Sequence, residues 1–168
     1  NGTVSDTTSD HEFPVINGPL NLAVQTAAAL QLHTNRTIKG TLTLNGPFIT
    51  GASTITIDTT GRVVQGAGFV NGHLAKLVPA AVDTVISYEL GTVGSGFSPA
   101  KVRVFNNTVP AFVTAGVYGN THPAVGDGSS CMKKYWSLLG PGLAADSCQL
   151  TFQYGPLDFN PPKFTESA

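Results

Sequence analysis

The stretch from Gly40 to Ile57 reads GTLTLNGPFITGASTITI. Apolar and polar residues alternate in TLTLN and again in STITID, which is the period of a half-buried β-strand. The pair Asn45-Gly46 between them is a turn signal. The stretch therefore predicts short strands broken by tight turns, and the same pattern continues on both sides of it.

Residues 17–78 repeat this style, with LNLAV, AALQL and RVVQ as further strand candidates. Thr26 to Leu30 alone would suit a helix, but its flanks alternate, so we expect a strand. Three Asn-Gly pairs, at Asn17, Asn45 and Asn71, recur about 26–28 residues apart,. This weak repeat is compatible with the coils of a β-helix or β-roll.

From residue 79 onward the strand candidates are longer: TVISYELG, AKVRVFNN, AFVTAGVYG, KKYWSLLG and QLTFQYG. Ile86 and Tyr88 alternate with Val85 and Ser87, so one face of that strand should be buried. GSGFSP is typical of a hairpin. Five such strands predict an antiparallel β-sandwich in residues 79–168, ending in a proline-rich coil.

Residues 1–16 are polar first and apolar later, and Pro14 disfavours both a helix and a central strand there,. We interpret them as an extended N-terminal arm. The predicted fold class is all-β: a short β-helix-like or β-roll-like half, then an antiparallel β-sandwich, with the arm in front.

The composition is 41% hydrophobic and 11% charged, whereas soluble domains carry about 25% charged residues. Thr, Ser, Asn and Gly must cover the surface instead, which suits an extracellular or cell-surface protein. A net charge of −1 without a basic run argues against nucleic-acid partners,. No apolar run approaches the roughly 18 residues of a transmembrane helix.

Cys131 and Cys148 flank the stretch that also holds Trp136, the one tryptophan. An even cysteine count in such a chain predicts a disulfide bracing the Trp136 strand, worth roughly 3 kcal/mol. The alternative is two buried free thiols. Trp136 itself is interpreted as a core anchor rather than a sugar platform.

Three N-x-[ST] motifs make Asn1, Asn35 and Asn106 candidate glycosylation sites,. Beyond covalent glycans, no cofactor is expected. The four histidines show no metal-ligand spacing, and Gly126-Asp127-Gly128 suits a turn better than a calcium loop,. No catalytic motif or carboxylate pair stands out, so an enzyme is not predicted, although carboxylates could still meet in space.

GTLTLNGPFITGASTITI followed by GAGFVNGHLAKLV resembles a β-rich module of large exported proteins of environmental bacteria. ISYELGTVGSGFSPAKVRVF and KKYWSLLG with CQLTFQY are similar to its later strand pairs. The resemblance spans residues 38–154 and implies surface location, an all-β fold and a structural or adhesive role. It implies no catalytic residue.

In that family further strands usually follow the position of Tyr154, whereas this chain continues with GPLDFNPPKFTESA. A sandwich lacking those strands would expose an apolar groove and an unpaired edge. We therefore hypothesise a fibre or pilus-like homopolymer, in which Val4, Phe13, Val15 and Ile16 of one arm fill the groove of the next copy. The alternatives for the arm are that it folds back on its own domain or is disordered, and the alternative for the whole chain is a monomeric carbohydrate-binding or adhesive module.

Overall fold

A computed structural model of the chain describes residues 6–16, 18–25, 29–126, 131–155 and 158–159. These residues form fifteen β-strands and no helix, so the predicted all-β class is confirmed. The first half is a β-solenoid of about three turns, and antiparallel sheets follow it.

The solenoid strands are short and pair in parallel. They are β1 (Asp6–Thr7), β2 (Leu22–Val24), β3 (Leu30–Gln31), β4 (Arg36–Ile38), β5 (Thr41–Leu44), β6 (Phe48–Ile57), β7 (Arg62–Gln65) and β8 (Val70–Val78). One sheet has the order β2-β5-β7; another runs β1-β3-β6-β8, with β4 also on β6. Leu22, Leu42 and Val63 stack in one register, so each coil takes about 20 residues,.

The coil period differs from the predicted spacing of the Asn-Gly pairs. Asn71 lies opposite Ile49 rather than opposite Asn45, and Asn17 lies outside the described residues. The glycine that matches Gly46 is Gly68, one coil later, because an added Cβ there would meet the backbone of Gly46. The repeat inferred from Asn-Gly pairs was therefore wrong in period, although the solenoid it suggested is present.

Strict alternation in GTLTL and STITI fills the solenoid interior. Leu42, Leu44 and Ile55 are fully buried, whereas Thr43, Thr54 and Thr56 beside them are only partly buried. Full burial of each such side chain stabilises the fold by about 1.5–3 kcal/mol. The solenoid core is thus dictated by the period-two pattern.

The second half contains β9 (Ala81–Tyr88), β10 (Gly91–Thr92), β11 (Gly96–Phe97), β12 (Ala100–Asn107), β13 (Ala111–Tyr118), β14 (Tyr135–Leu139) and β15 (Ser147–Phe152). Strand β8 joins the halves, because it is parallel to β6 and antiparallel to β13. The order β8-β13-β14 continues the solenoid sheet, and β15-β12-β9 forms a separate sheet. The hairpin predicted at GSGFSP is confirmed as β10–β11.

Tyr88 holds the two layers of this half together. Its ring is fully buried, and its hydroxyl donates to the carbonyl of Val113 at 3.0 Å. Burial, together with the charge of Glu89, raises the pKa of Tyr88. The predicted alternation is confirmed, since Tyr88 and Ile86 face inward while Val85 and Ser87 are exposed.

The N-terminal segment lies on its own chain instead of extending away from it. Strand β1 pairs in parallel with β3, a turn follows, and Phe13 is only 1% exposed in the core. Val4 lies outside the described residues. Residues 6–16 therefore close the first coil. This arrangement matches the alternative in which the arm folds back on its own domain.

The predicted disulfide was wrong: no bond joins Cys131 to Cys148. Cys148 is exposed and lies on β15 opposite Val104, four residues before Phe152. Four strand residues span about 13 Å, and Phe152 is the residue that stacks on Trp136. Cys131 is next to Met132, which bridges Phe159 beyond the end of β15, so it lies toward the opposite end of that strand from Cys148, whereas a disulfide needs Cα atoms within roughly 7 Å.

Candidate functional site

The strand order places two different surfaces at opposite ends of the molecule. The main sheet begins with β1 and ends with β14, and each of these strands has one hydrogen-bonded neighbour among the described residues. We call residues 6–16 the cap, and β14 with β15 the open end. Each exposes apolar side chains beside an unpaired strand edge, which makes these two surfaces the candidate functional site.

Arg36 anchors the cap from inside the solenoid. It occupies the ladder position that Ile55 and Leu74 hold in later coils, and its side chain is almost fully buried. Its guanidinium donates to the carbonyls of Phe13 and Asn35 and contacts the carboxylate of Asp10. An arginine in an aliphatic ladder is tolerated here because the cap supplies acceptors for its donors.

His33 ties the cap to the coil beside Arg36. Its Nδ1 lies 2.7 Å from the Thr8 hydroxyl, and its Nε2 lies 3.0 Å from Oδ1 of Asp10. The hydrogen bond from His33, reinforced by Arg36, holds the pKa of the exposed Asp10 carboxyl below its usual value. No motif in the sequence predicts this cluster, and its one signal is a charged residue, Arg36, at an inward period-two position.

Beyond the buried Phe13, the cap turns apolar residues outward. Val15 is 78% exposed, Ile16 is 77% exposed, and Leu20 just after the cap is also exposed. These side chains border a cleft of about 400 Å³ that is also lined by Thr37 and Lys39. Of the four predicted contact residues, Val15 and Ile16 are available to a partner, whereas Phe13 is occupied by its own core.

At the open end, two strand edges expose leucines. Leu139 on β14 is 64% exposed, and Leu150 on β15 is nearly half exposed. Between the layers Trp136 stacks on Phe152 with centroids 4.8 Å apart, and its indole N–H donates to the carbonyl of Ser98. Trp136 is therefore a packing residue, whereas the leucines remain accessible.

A second cleft of about 400 Å³ lies where the solenoid meets the sandwich, lined in part by Asp58, Arg62 and Val85. Lys76 points into it and lies 2.6 Å from the carboxylate of Glu89, and both side chains are largely buried. Asp58 and Glu89 thus meet in one cleft, which the sequence did not reveal. The carboxylate of Glu89 is paired with Lys76, so an ion pair forms part of the cleft lining.

An aromatic row crosses the outer face of the main sheet. Tyr118 and Tyr135 stack with centroids 4.6 Å apart, His73 contacts Tyr118 edge-on, and His122 contacts Tyr135 edge-on. Nε2 of His73 also lies 2.8 Å from the Tyr118 hydroxyl. The rings cover one another's faces, so the row presents edges rather than an open stacking surface.

Two of the three glycosylation candidates are exposed. Asn35 lies just before β4, and Asn106 lies near the end of β12 with a φ of 51°. The side-chain amide of Asn106 donates to Asp146 at 2.8 Å. Asn1 lies outside the described residues, as does Asp127.

Across the described ranges, no group of three or more His, Cys, Asp and Glu side chains is arranged to hold a metal ion. The same residues include no helix long and apolar enough to cross a membrane.

No protein-family model, curated protein or solved structure matches this chain. The resemblance to exported bacterial proteins therefore stays a prediction that rests on the quoted motifs.

Proposed function

We propose that this chain is a structural subunit of an extracellular fibre, in which the cap of one copy meets the open end of the next. The observation that supports the proposal is a pair of exposed apolar surfaces: one lies beside β1 at one edge of the main sheet, and the other comprises β14 at its opposite edge and β15 of the separate sheet. Because the two surfaces differ, their contact is head-to-tail and propagates unless rotation closes a ring.

The contact residues on the cap side are Val15 and Ile16, which are exposed without disturbing the core. On the other side are Leu139 and Leu150, each on a strand with an unpaired edge. Burying apolar area of this kind is worth about 25 cal/mol per Å², and the edges add sheet hydrogen bonds by strand addition. The low charge of the chain limits repulsion between copies.

In a second form of this proposal, the whole arm of one copy inserts as a strand into the next copy, which requires a larger rearrangement of the cap. It would withdraw Phe13 from the core and break the contacts of Arg36 with the cap. Contact through Val15 and Ile16 needs neither step. A deletion of residues 1–16 is a poor test, because it would also remove a core residue.

Point substitutions test the proposal without removing the core. We expect the full chain to form long polymers, measured by size exclusion with light scattering and by electron microscopy. The double variant Val15→Asp, Ile16→Asp should stay monomeric. Val82→Asp is the matched control, since Val82 is 77% exposed on β9, which belongs to neither the cap nor the open end, and this variant should polymerise normally.

Mixing the variants tests direction. Leu139→Asp should block the open end while leaving the cap intact, so a mixture with the cap variant should give only dimers. A wild-type chain that stays monomeric at every concentration would overturn the proposal.

A carbohydrate-binding or adhesive module is the second candidate, and its proposed contact surface is the aromatic row. Tyr135 and His122 lie at the end of the row, where a sugar could contact ring edges. Glycan titration followed by nuclear magnetic resonance should then perturb this row, and Tyr135→Ala should abolish the effect. Trp136 fluorescence should not change, because Trp136 faces the interior.

A further inference from the structure

A buried ion pair joins the segment before β14 to the segment beyond β15. The ammonium Nζ of Lys134 lies 2.6 Å from Oδ1 of Asp158, and their side chains are 0% and 3% exposed. The backbones run side by side, since the Lys133 N–H donates to the Asp158 carbonyl at 2.7 Å and Met132 bridges Phe159. The two reactive groups are therefore held together by the fold itself.

Neighbouring groups fix both partners in orientation. The Lys134 ammonium also donates to the Ser98 hydroxyl, and the Gly155 N–H donates to Oδ2 of Asp158 at 2.8 Å. Burial raises the pKa of Asp158, but hydrogen bonds from Lys134, Gly155 and Ser95 outweigh it and hold this pKa below its usual value. The pair therefore begins as two ions, with one carboxylate oxygen facing the amine and the other facing an amide.

Two charges removed from water carry a desolvation cost of several kcal/mol each, which the attraction between them offsets only in part. A neutral product with all its hydrogen bonds satisfied removes that cost. The carboxyl carbon lies no farther than about 3.8 Å from Nζ, because a C–O bond adds only about 1.2 Å to the measured contact. Held reactants of this kind react with very high effective molarity.

We propose that Lys134 and Asp158 condense into an intramolecular amide. One proton moves from the ammonium to Oδ1, and the neutral amine attacks the carboxyl carbon. The negative charge develops on Oδ2, where the Gly155 N–H stabilises it. The Nζ–Cγ bond forms, the Cγ–Oδ1 bond breaks, and Oδ1 leaves as water with two protons from the original ammonium.

The product fits the existing hydrogen-bond partners. Oδ2 becomes an amide oxygen that still accepts from Gly155, and the remaining N–H of Lys134 faces the Ser98 hydroxyl. The amide would link the two segments that flank the open end, where no disulfide is present. This inference does not depend on polymer formation.

Intact-mass spectrometry of the denatured full chain tests the proposal. The expected mass is lower than the sequence mass by one water, and tandem spectra should show a branched peptide joining Lys134 to Asp158. Trypsin should fail to cleave after Lys134. A full sequence mass together with cleavage after Lys134 would overturn the proposal, whatever the assembly state.

Three variants make the assignment specific. Lys134→Arg and Asp158→Ala should keep their full masses, because each lacks one reacting group. Asp158→Asn should lose ammonia instead of water, because the same attack then expels the amide nitrogen. Loss of water from the Lys134→Arg variant would place the dehydration elsewhere and contradict the proposal.

Discussion

At the cap, Phe13 covers the interior of the first coil, and Arg36 donates to the carbonyl of Phe13 and contacts the carboxylate of Asp10. At the open end, Leu139 on β14 and Leu150 on β15 are exposed. The open end consists of short strands, whereas the cap consists of a two-residue strand and a turn, so strand alternation alone does not decide whether an end is closed. What closes the cap is a segment that returns to its own chain and brings acceptors for a buried cation.

The largest expected effect comes from Phe13→Ala. Removing a fully buried ring leaves a cavity and should lower the free energy of unfolding by about 3–5 kcal/mol. Leu139→Ala at the open end should change stability by no more than about 0.5 kcal/mol, because that side chain is mostly exposed. Chemical denaturation measures the free energy of unfolding of both variants. Equal losses would contradict the difference between a packed cap and an exposed open end.

Gly68→Ala should have the next largest effect, because it probes how closely the coils beneath the cap stack. An added Cβ would lie 2.1 Å from the carbonyl oxygen of Gly46 and 2.5 Å from its nitrogen, and neither backbone atom can rotate away. We expect a loss of about 1–3 kcal/mol, as for other overpacked sites. Gly94→Ala is the matched control, since nothing lies within 4 Å of its added Cβ. Similar unfolding midpoints for the two variants would contradict this stacking.

Much of the fold follows from the sequence because alternation specifies which residues face inward. It predicted β5, β7, β12 and β13 closely, and it predicted the buried face of β9. It missed β4, where Arg36 stands at an inward position and breaks the apolar pattern. A buried cation can be recognised only when its partners are known. Those of Arg36 in the cap, Phe13 and Asp10, lie 23 and 26 residues away, whereas Asn35 and His33 are close in sequence.

The candidate site was less predictable, for a related reason. Val15 and Ile16 were identified as apolar residues of an arm, but Phe13 is equally apolar and is buried. Which of them is exposed depends on the turn that returns the chain to the coil. Likewise, the Lys134–Asp158 pair joins two loops across the end of β15, a proximity that no local pattern contains.

Asp10→Asn should have a smaller effect that depends on pH. The pKa of Asp10 is lower in the folded chain than in the unfolded chain, where it is near 3.9,. At pH values above the unfolded pKa the carboxylate therefore stabilises the cap, and this stabilisation disappears as the pH falls through the folded pKa. The melting temperature of the variant should therefore fall below that of the wild type at pH 7, and the difference should shrink toward pH 3. Asp146→Asn is a control away from the cap, because Asp146 is exposed and accepts a hydrogen bond from the neutral amide of Asn106. A difference that grows on acidification would contradict the role given to Asp10.

The smallest expected effect is that of a reductant, which should leave the melting temperature unchanged. Without a bond between Cys131 and Cys148 there is nothing in the open end to reduce. The exposed Cys148 should also react with a thiol reagent in the folded protein, whereas Cys148→Ser should lose that adduct. A melting temperature that falls on reduction would mean that a disulfide closes the open end in solution. The two ends would then differ in that the open end is closed covalently and the cap non-covalently.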